Sequence, residues 1–339
     1  MCIRDSMNVL ITGATGFIGS HLTERLVKEG YKVSVLVKKE SNRKERKETL
    51  NILKNIGVKI FLGDLLDVNS LIKACKNKDV VFHLAAIARP MAIPKEKYFK
   101  VNVEGTKNLL EACRKNKVKK IIHMSSISVV GPTRDGNPVN EKTKPDPIDT
   151  YGESKLAAEK VVFEYIKKYN MNITILRPPM VFGPRDFEML RLFKAISKGF
   201  FPLKEGKGYI EFLYVENLVD VCILAMKKGK KGEIYHINNG ESYRMSDVVK
   251  TIAKAENVKL KPIKFPNWSL VLAGIFMELL GKIFGFHPPF SRNTVIWMTK
   301  SFWYTECTKA KKELGYQPKI SLEEGIKRTV EYYKKRELL

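Results

Sequence analysis

The chain has 339 residues, 44% of them hydrophobic, enough to bury one nucleotide-binding domain with a smaller lobe beside it. Its 61 Lys and Arg against 36 Asp and Glu give a net charge of +25, but the cations are spread over nearly every predicted helix. No recognition helix, zinc finger or aromatic RNA-binding signature accompanies them, which excludes nucleic acid and leaves a solvated lysine-rich surface or peripheral contact with an anionic membrane.

Residues 1–6 carry no apolar signal core and read as a leader without a role in the fold. Asn8-Val9-Leu10-Ile11 then forms a strand that runs into Thr12-Gly13-Ala14-Thr15-Gly16-Phe17-Ile18-Gly19 and an amphipathic helix over residues 20–28. In that context Gly13 permits a tight turn, Gly16 removes a side chain that would block a pyrophosphate, and Gly19 lets the helix pack against the strand. Free amides at the helix start face the phosphates. The second strand, residues 33–37, ends in Val37-Lys38-Lys39-Glu40-Ser41-Asn42-Arg43 with no aspartate. Lys38, Lys39 and Arg43 suit a 2′-phosphate, so NADP is favoured, while Glu40 keeps a ribose contact and NAD open.

Apolar runs at residues 58–62, 80–84, 121–124 and 173–176 alternate with helical patterns, the mark of a doubly wound α/β parallel sheet with helices on both faces. Residues 131–149, with Pro132, Gly136, Pro138, Pro145 and Pro147, read as a loop over the site. Tyr151-Gly152-Glu153-Ser154-Lys155 opens a helix reaching about residue 169, and the spacing puts Tyr151 and Lys155 on one face. A tyrosine of reference pKa about 10 becomes a usable acid/base when an ammonium favours its phenolate.

From residue 180 the pattern loosens, giving a division into residues 7–179, the NAD(P)-binding domain, and residues 180–339, mainly a substrate lobe. Residues 268–286 are apolar but too interrupted by Glu278 and Lys282 for a membrane span. They remain open as a core helix, a pocket wall or a membrane-interface segment. His21, His83, His123, His236 and His287 share no ligand spacing, so no metal is expected and they read as packing or surface residues. Cys2, Cys75, Cys113, Cys222 and Cys307 form no CxxC, which argues against structural zinc and for a reducing, cytoplasmic compartment.

These motifs together resemble the short-chain dehydrogenase/reductase superfamily, in its extended branch of epimerases, dehydratases and hydroxysteroid dehydrogenases. Gly63-Asp64-Leu65-Leu66-Asp67, His83-Leu84-Ala85-Ala86, Asn102-Val103-Glu104-Gly105-Thr106, Ser125-Ser126 and Arg177-Pro178-Pro179 extend the likeness over nearly the whole chain. The resemblance implies a Rossmann-type fold in which part of the second half returns to the sheet, and a homodimer. It implies cofactor contacts from Gly13, Thr15, Gly16, Phe17, Ile18 and Gly19, and from Leu84, Ala85, Ala86 and Asn102. Asp64 would meet the adenine amino group, with a helix N-cap as its other reading, and Leu65 would pack on the ring. Ser126 would hold the substrate oxygen, with Ser125 as competitor and a backbone-bonding serine as the alternative. Lys155 would bond the nicotinamide ribose as well as tune Tyr151, and Pro178 and Val181 would line the nicotinamide.

Phe182-Gly183-Pro184-Arg185-Asp186, residues 212–217 and Gly315-Tyr316-Gln317-Pro318 look closer to the 3β-hydroxysteroid and sterol dehydrogenases and the dihydroflavonol reductases. Ile210 stands where nucleotide-sugar enzymes carry an arginine for the substrate's pyrophosphate, and Arg185 and Arg191 are the cations that could compensate. The expectation is an NAD(P)-dependent oxidoreductase moving hydride between nicotinamide and a secondary alcohol or ketone of a lipophilic small molecule. A nucleotide-sugar epimerase or dehydratase is the first alternative; a non-catalytic NAD(P) sensor is the second.

Overall fold

A computed structural model describes residues 7–39, 44–88, 93–133, 136–201, 208–262, 267–284 and 302–339. The first half alternates strand and helix: β1 (Asn8–Thr12), α1 (Phe17–Lys28), β2 (Lys32–Val37), α2 (Lys44–Asn55), β3 (Lys59–Leu62), α3 (Val68–Cys75) and β4 (Val80–His83). α4 (Lys95–Phe99) passes through a π-helical stretch (Lys100–Glu104) into α5 (Gly105–Lys115), followed by β5 (Lys120–Met124), α6 (Thr150–Tyr169) and β6 (Ile173–Arg177). β4, β5 and β6 are buried along their whole length, because helices cover both faces of the sheet and leave no solvent side for alternation to mark.

The second half contributes β7 (Met180–Phe182), α7 (Met189–Ser197), β8 (Phe200–Phe201), β9 (Phe212–Tyr214), α8 (Val215–Lys228), β10 (Ile234–His236), α9 (Met245–Glu256), β11 (Lys261–Pro262), α10 (Asn267–Phe284) and α11 (Leu322–Lys335). β10 adds to the main sheet beside β6, giving seven parallel strands in the order β10-β6-β5-β4-β1-β2-β3. Leu22 and Leu26 of α1 and Val221 and Cys222 of α8 pack on one face; Leu71 of α3, Leu109 of α5 and Val162 of α6 pack on the other. A separate core joins Phe193 of α7, Ile252 of α9 and Val330 of α11.

Two contacts strap this second core to α1. His21 Nε2 lies 2.8 Å from the Pro184 carbonyl oxygen, and Arg185, held at φ +71°, reaches Glu24 with two 2.7 Å hydrogen bonds. The segment 131–149 is tied instead to residues 302–306, through Thr133 N–H to the Phe302 carbonyl at 2.8 Å and Val139 N–H to that of Tyr304 at 2.9 Å.

Glu211, just before β9, fastens the second lobe internally. At 1% exposure it accepts 2.8 Å hydrogen bonds from the Asn238 amide, Thr305 N–H and the Thr305 hydroxyl. Burial pushes its carboxyl up to about 7, against the three donors that pull it down. A raised folded-state pKa binds the proton more tightly in the fold, so this stability is full below the unfolded value and is lost as pH rises toward 7. The shift from 4.5 to about 7 is worth on the order of 3 kcal/mol. We expect wild-type stability relative to Glu211→Gln to fall by roughly that amount between those pH values, measured by urea unfolding of both proteins. A difference that does not vary with pH would refute it.

Candidate active site

β1 and β4 are neighbours, yet the chain leaves them toward opposite halves of the sheet, which opens a crevice at their C-terminal ends. The turn after β1 closes on the end of β4 more tightly than a side chain allows. Gly13 sits at φ +77°, and a Cβ there would lie 2.7 Å from Ala85 N; one on Gly19 would lie 2.2 Å from the Gly13 carbonyl oxygen. Gly19 therefore packs against the turn itself as α1 begins. No side chain caps α1 and no acid stands in its first turn, while Thr15, Gly16, Phe17 and Ile18 are only half-buried at the opening. A pyrophosphate fits this cradle of backbone amides.

A chain of hydrogen bonds fixes the floor of the crevice. Ala85 N–H donates to Thr12 Oγ1 at 3.2 Å, and Thr12 Oγ1 lies 2.9 Å from His83 Nδ1. His83 Nε2 lies 2.9 Å from Thr106 Oγ1, whose proton goes to the Asn102 carbonyl at 2.6 Å. Thr106 must therefore accept from Nε2–H, leaving Nδ1 to accept from Thr12. Burial, then the Lys155 charge, pushes His83 down to about 3, so the ring stays neutral. The Asn102 side chain brackets Ile87, accepting from its N–H at 2.8 Å and donating to its carbonyl at 3.1 Å, and donates to Ser154 at 2.9 Å. Leu84, Ala85 and Ala86 lie half-buried beside it.

Lys38 and Asp64, at the ends of β2 and β3, meet in a 2.8 Å ion pair. Asp64 also accepts from Leu66 N–H at 3.0 Å, while the cap of α3 is Asp67, which takes Asn69 and Ser70 N–H. Leu65 is buried against Gly105. Glu40 and Arg43 lie outside the described residues, as do residues 1–6 and His287.

Across the crevice, Asp149 caps α6 by accepting from Gly152 N–H at 2.7 Å. A Cβ on Gly152 would lie 2.4 Å from the Ser128 carbonyl oxygen, so this glycine lets the first turn of α6 approach the loop after β5. That approach brings Tyr151 to the side of Ser126. Burial raises Tyr151 to about 12, the neighbouring Ser126 hydroxyl opposing, so the phenol is protonated at rest. Ser126 also caps a 3₁₀ turn through Ser128 N–H at 3.1 Å. Pro178, buried, accepts from Ile127 N–H at 3.1 Å, and Val181 of β7 packs between the two cores.

Lys155, one turn beyond Tyr151, is buried and donates to the Met124 carbonyl at 2.6 Å. Burial pushes its ammonium down to about 8, and the Glu159 carboxylate, one turn further, holds it up. Glu159 is itself gripped by Arg177 through bonds of 2.9 and 2.6 Å and accepts from the Ser125 hydroxyl. The two serines thus divide: Ser126 faces the tyrosine, and Ser125 holds the carboxylate behind the lysine. Sequence reasoning passed over Gly152 and Glu159, although Glu159 repeats the Tyr151–Lys155 interval on the same helix face. His123, at 1% exposure, has neither ring nitrogen hydrogen-bonded, and burial holds it neutral. Among the described residues no His/Cys/Asp/Glu group is arranged to hold a metal ion.

In the second lobe Ile210 is 2% exposed and bridges to Tyr243. Arg185 is committed to Glu24, and Arg191 is exposed beside Glu188 at 3.6 Å.

The NAD dependent epimerase/dehydratase family matches residues 9–238. A sterol-4-alpha-carboxylate 3-dehydrogenase, decarboxylating, of Mus musculus is 30% identical, covering 98% of this chain and 92% of its own. An N-acetyl-alpha-D-glucosaminyl-diphospho-ditrans,octacis-undecaprenol 4-epimerase of Escherichia coli O157:H7 is 32% identical, with 96% and 95% covered. The UDP-glucuronic acid 4-epimerase of Bacillus cereus, solved with UDP-glucuronic acid and NAD, superposes with a TM-score of 0.78 at 27% identity, covering 97% and 100%.

Because the Glu159 charge supports the Lys155 ammonium, Glu159→Gln should move the alkaline limb of kcat/KM to lower pH by roughly one unit, activity being lost as Lys155 deprotonates. Ser125→Ala leaves the carboxylate charged and should leave the limb in place. A uniform loss of rate with an unmoved limb in Glu159→Gln would reduce Glu159 to a packing role.

Proposed function

Since the chain belongs to the NAD dependent epimerase/dehydratase family, we propose that it moves hydride between a nicotinamide and a secondary alcohol or ketone on a lipophilic substrate. Bound in the glycine-turn crevice, the nicotinamide cofactor supplies the hydride donor or acceptor. Tyr151 gives its proton to the substrate oxygen in reduction and takes one back in oxidation, while the Ser126 hydroxyl holds that oxygen. Lys155 stabilises the phenolate as it forms.

The observation that carries the substrate class is Ile210, buried where a diphosphate-binding arginine would stand, with Arg185 committed to Glu24. Leaving a diphosphate unpaired there costs several kcal/mol, whereas a ring system gains about 25 cal/mol for each Å² removed from water. One relative is named for a sterol, which carries no diphosphate; another is named for a diphospho-undecaprenol-linked sugar, which supports a lipid substrate but not the exclusion of a diphosphate. α10 supports the same reading. Leu272, Ile275, Phe276, Leu279 and Ile283 are all exposed and follow helical spacing along one face. No helix among the described residues is long and apolar enough to cross a membrane. We read the α10 face as resting in an anionic lipid surface, to which a net charge of +25 is complementary at about 1 kcal/mol per well-placed cation.

The test is a turnover panel of sterols, other lipophilic alcohols and UDP-sugars, with the lipids presented both in anionic vesicles and in detergent. We expect turnover of lipids, about 10²–10⁴-fold lower in Tyr151→Phe, with Phe276→Asp impaired on vesicles only. Turnover of UDP-sugars alone would establish the epimerase reading instead. Dimerisation through α10 without vesicle binding would give that face to a second copy.

For the cofactor we propose NADP over NAD, with Lys38 exchanging Asp64 for the 2′-phosphate. Lys38→Ala should weaken NADP by about tenfold in calorimetric titration and leave NAD unchanged. Equal effects on both would make Lys38 an ordinary partner of Asp64.

A further inference from the structure

At the edge of the sheet opposite the crevice, where β1, β2 and β3 begin, lies an open cavity of about 620 Å³. Lys32, Lys59, Lys73, Lys76 and Lys78 line it, and no Asp or Glu does. The register explains the convergence: Ser34 of β2 pairs with Lys59, and Leu36 with Phe61, so Ser34, Lys59 and Phe61 share one face of the sheet. Lys78, from the turn after α3, crosses onto that face, donating to Ser34 Oγ at 2.8 Å, and its ammonium lies 5.4 Å from the Phe61 ring centroid. Lys59 lies 5.2 Å from the same centroid.

Lysine abundance alone does not produce this arrangement. Elsewhere Lys119, Lys309 and Lys319 meet Asp79, Glu233 and Asp220 within 3 Å. Among the described residues none of the five cavity lysines has such an ion pair. Desolvation and then the charge of Lys59 lower the Lys78 pKa, and the neighbouring Asp79 carboxylate only partly opposes them, as expected for crowded ammoniums. A multiply charged anion with several acceptor oxygens relieves that crowding, and the cavity is large enough for more than one phosphate.

We propose that this cleft binds an oligophosphate group, free or carried on a lipid, independently of the cofactor crevice. The test fills the crevice with saturating NAD and titrates inorganic tripolyphosphate by calorimetry at about 0.1 M salt. One saturable site is expected, weakened at least about tenfold in Lys59→Ala/Lys76→Ala, both of which are exposed. Lys167→Ala/Lys168→Ala removes as much charge from α6, outside the cavity lining, and should leave binding intact. Vesicles carrying a phosphoinositide separate the sources: capture that tripolyphosphate competes away and the cleft variant loses assigns a lipid headgroup. Tripolyphosphate binding without such capture assigns a soluble phosphate compound. No saturable binding, or equal weakening by both double variants, would overturn the proposal.

Discussion

The close approach that shapes the candidate site is between the turn after β1 and the end of β4. Two backbones pass at a distance that excludes a Cβ on Gly13, and the first turn of α1 then passes Gly13 at a distance that excludes one on Gly19. With side chains kept out, the amides of α1 aim into the crevice without a cap of their own. The Thr12–His83–Thr106 chain satisfies the polar groups that this closeness buries. Because His83 stays neutral, that floor does not change with pH in the physiological range.

From that floor the candidate catalytic groups are positioned by relay. Asn102 is bonded both to Ile87, just beyond β4, and to Ser154, between Tyr151 and Lys155. α6, which carries Tyr151 and Lys155, is thus referenced to the end of β4. Behind it, Glu159 and Arg177 form a buried bidentate pair with side chains 2% and 3% exposed. Such a pair contributes little net stability and a great deal of definition, since removing either partner strands a charge. Its position beside Lys155 extends that definition to the candidate site.

The glycine turn, the alternating strands and the Tyr151–Lys155 pair were legible because each is local: their meaning lies in residues a few positions apart. What escaped was non-local or chemically ambiguous. Lys38 and Asp64 stand as separate cofactor contacts in the sequence, and only the parallel pairing of β2 and β3 brings their charges together. Glu159 sits in a lysine-rich helix and reads there as one more solvated charge. Gly13 marks a turn in the sequence, but nothing local tells how near β4 comes. In α10 the apolar run was visible, but which of its residues face outward depends on what the rest of the chain covers. Residues 285 and 286 of that run lie outside the described residues.

The strap between α1 and the second lobe joins two quantities that are separate in a looser enzyme. The helix whose N-terminal amides face the crevice is also the helix that holds Pro184 through His21 and Arg185 through Glu24. A displacement of the second lobe that keeps these bonds carries α1 with it. Were a cofactor to rest on those amides, its retention and the opening of the second lobe would be coupled through one histidine contact and one ion pair.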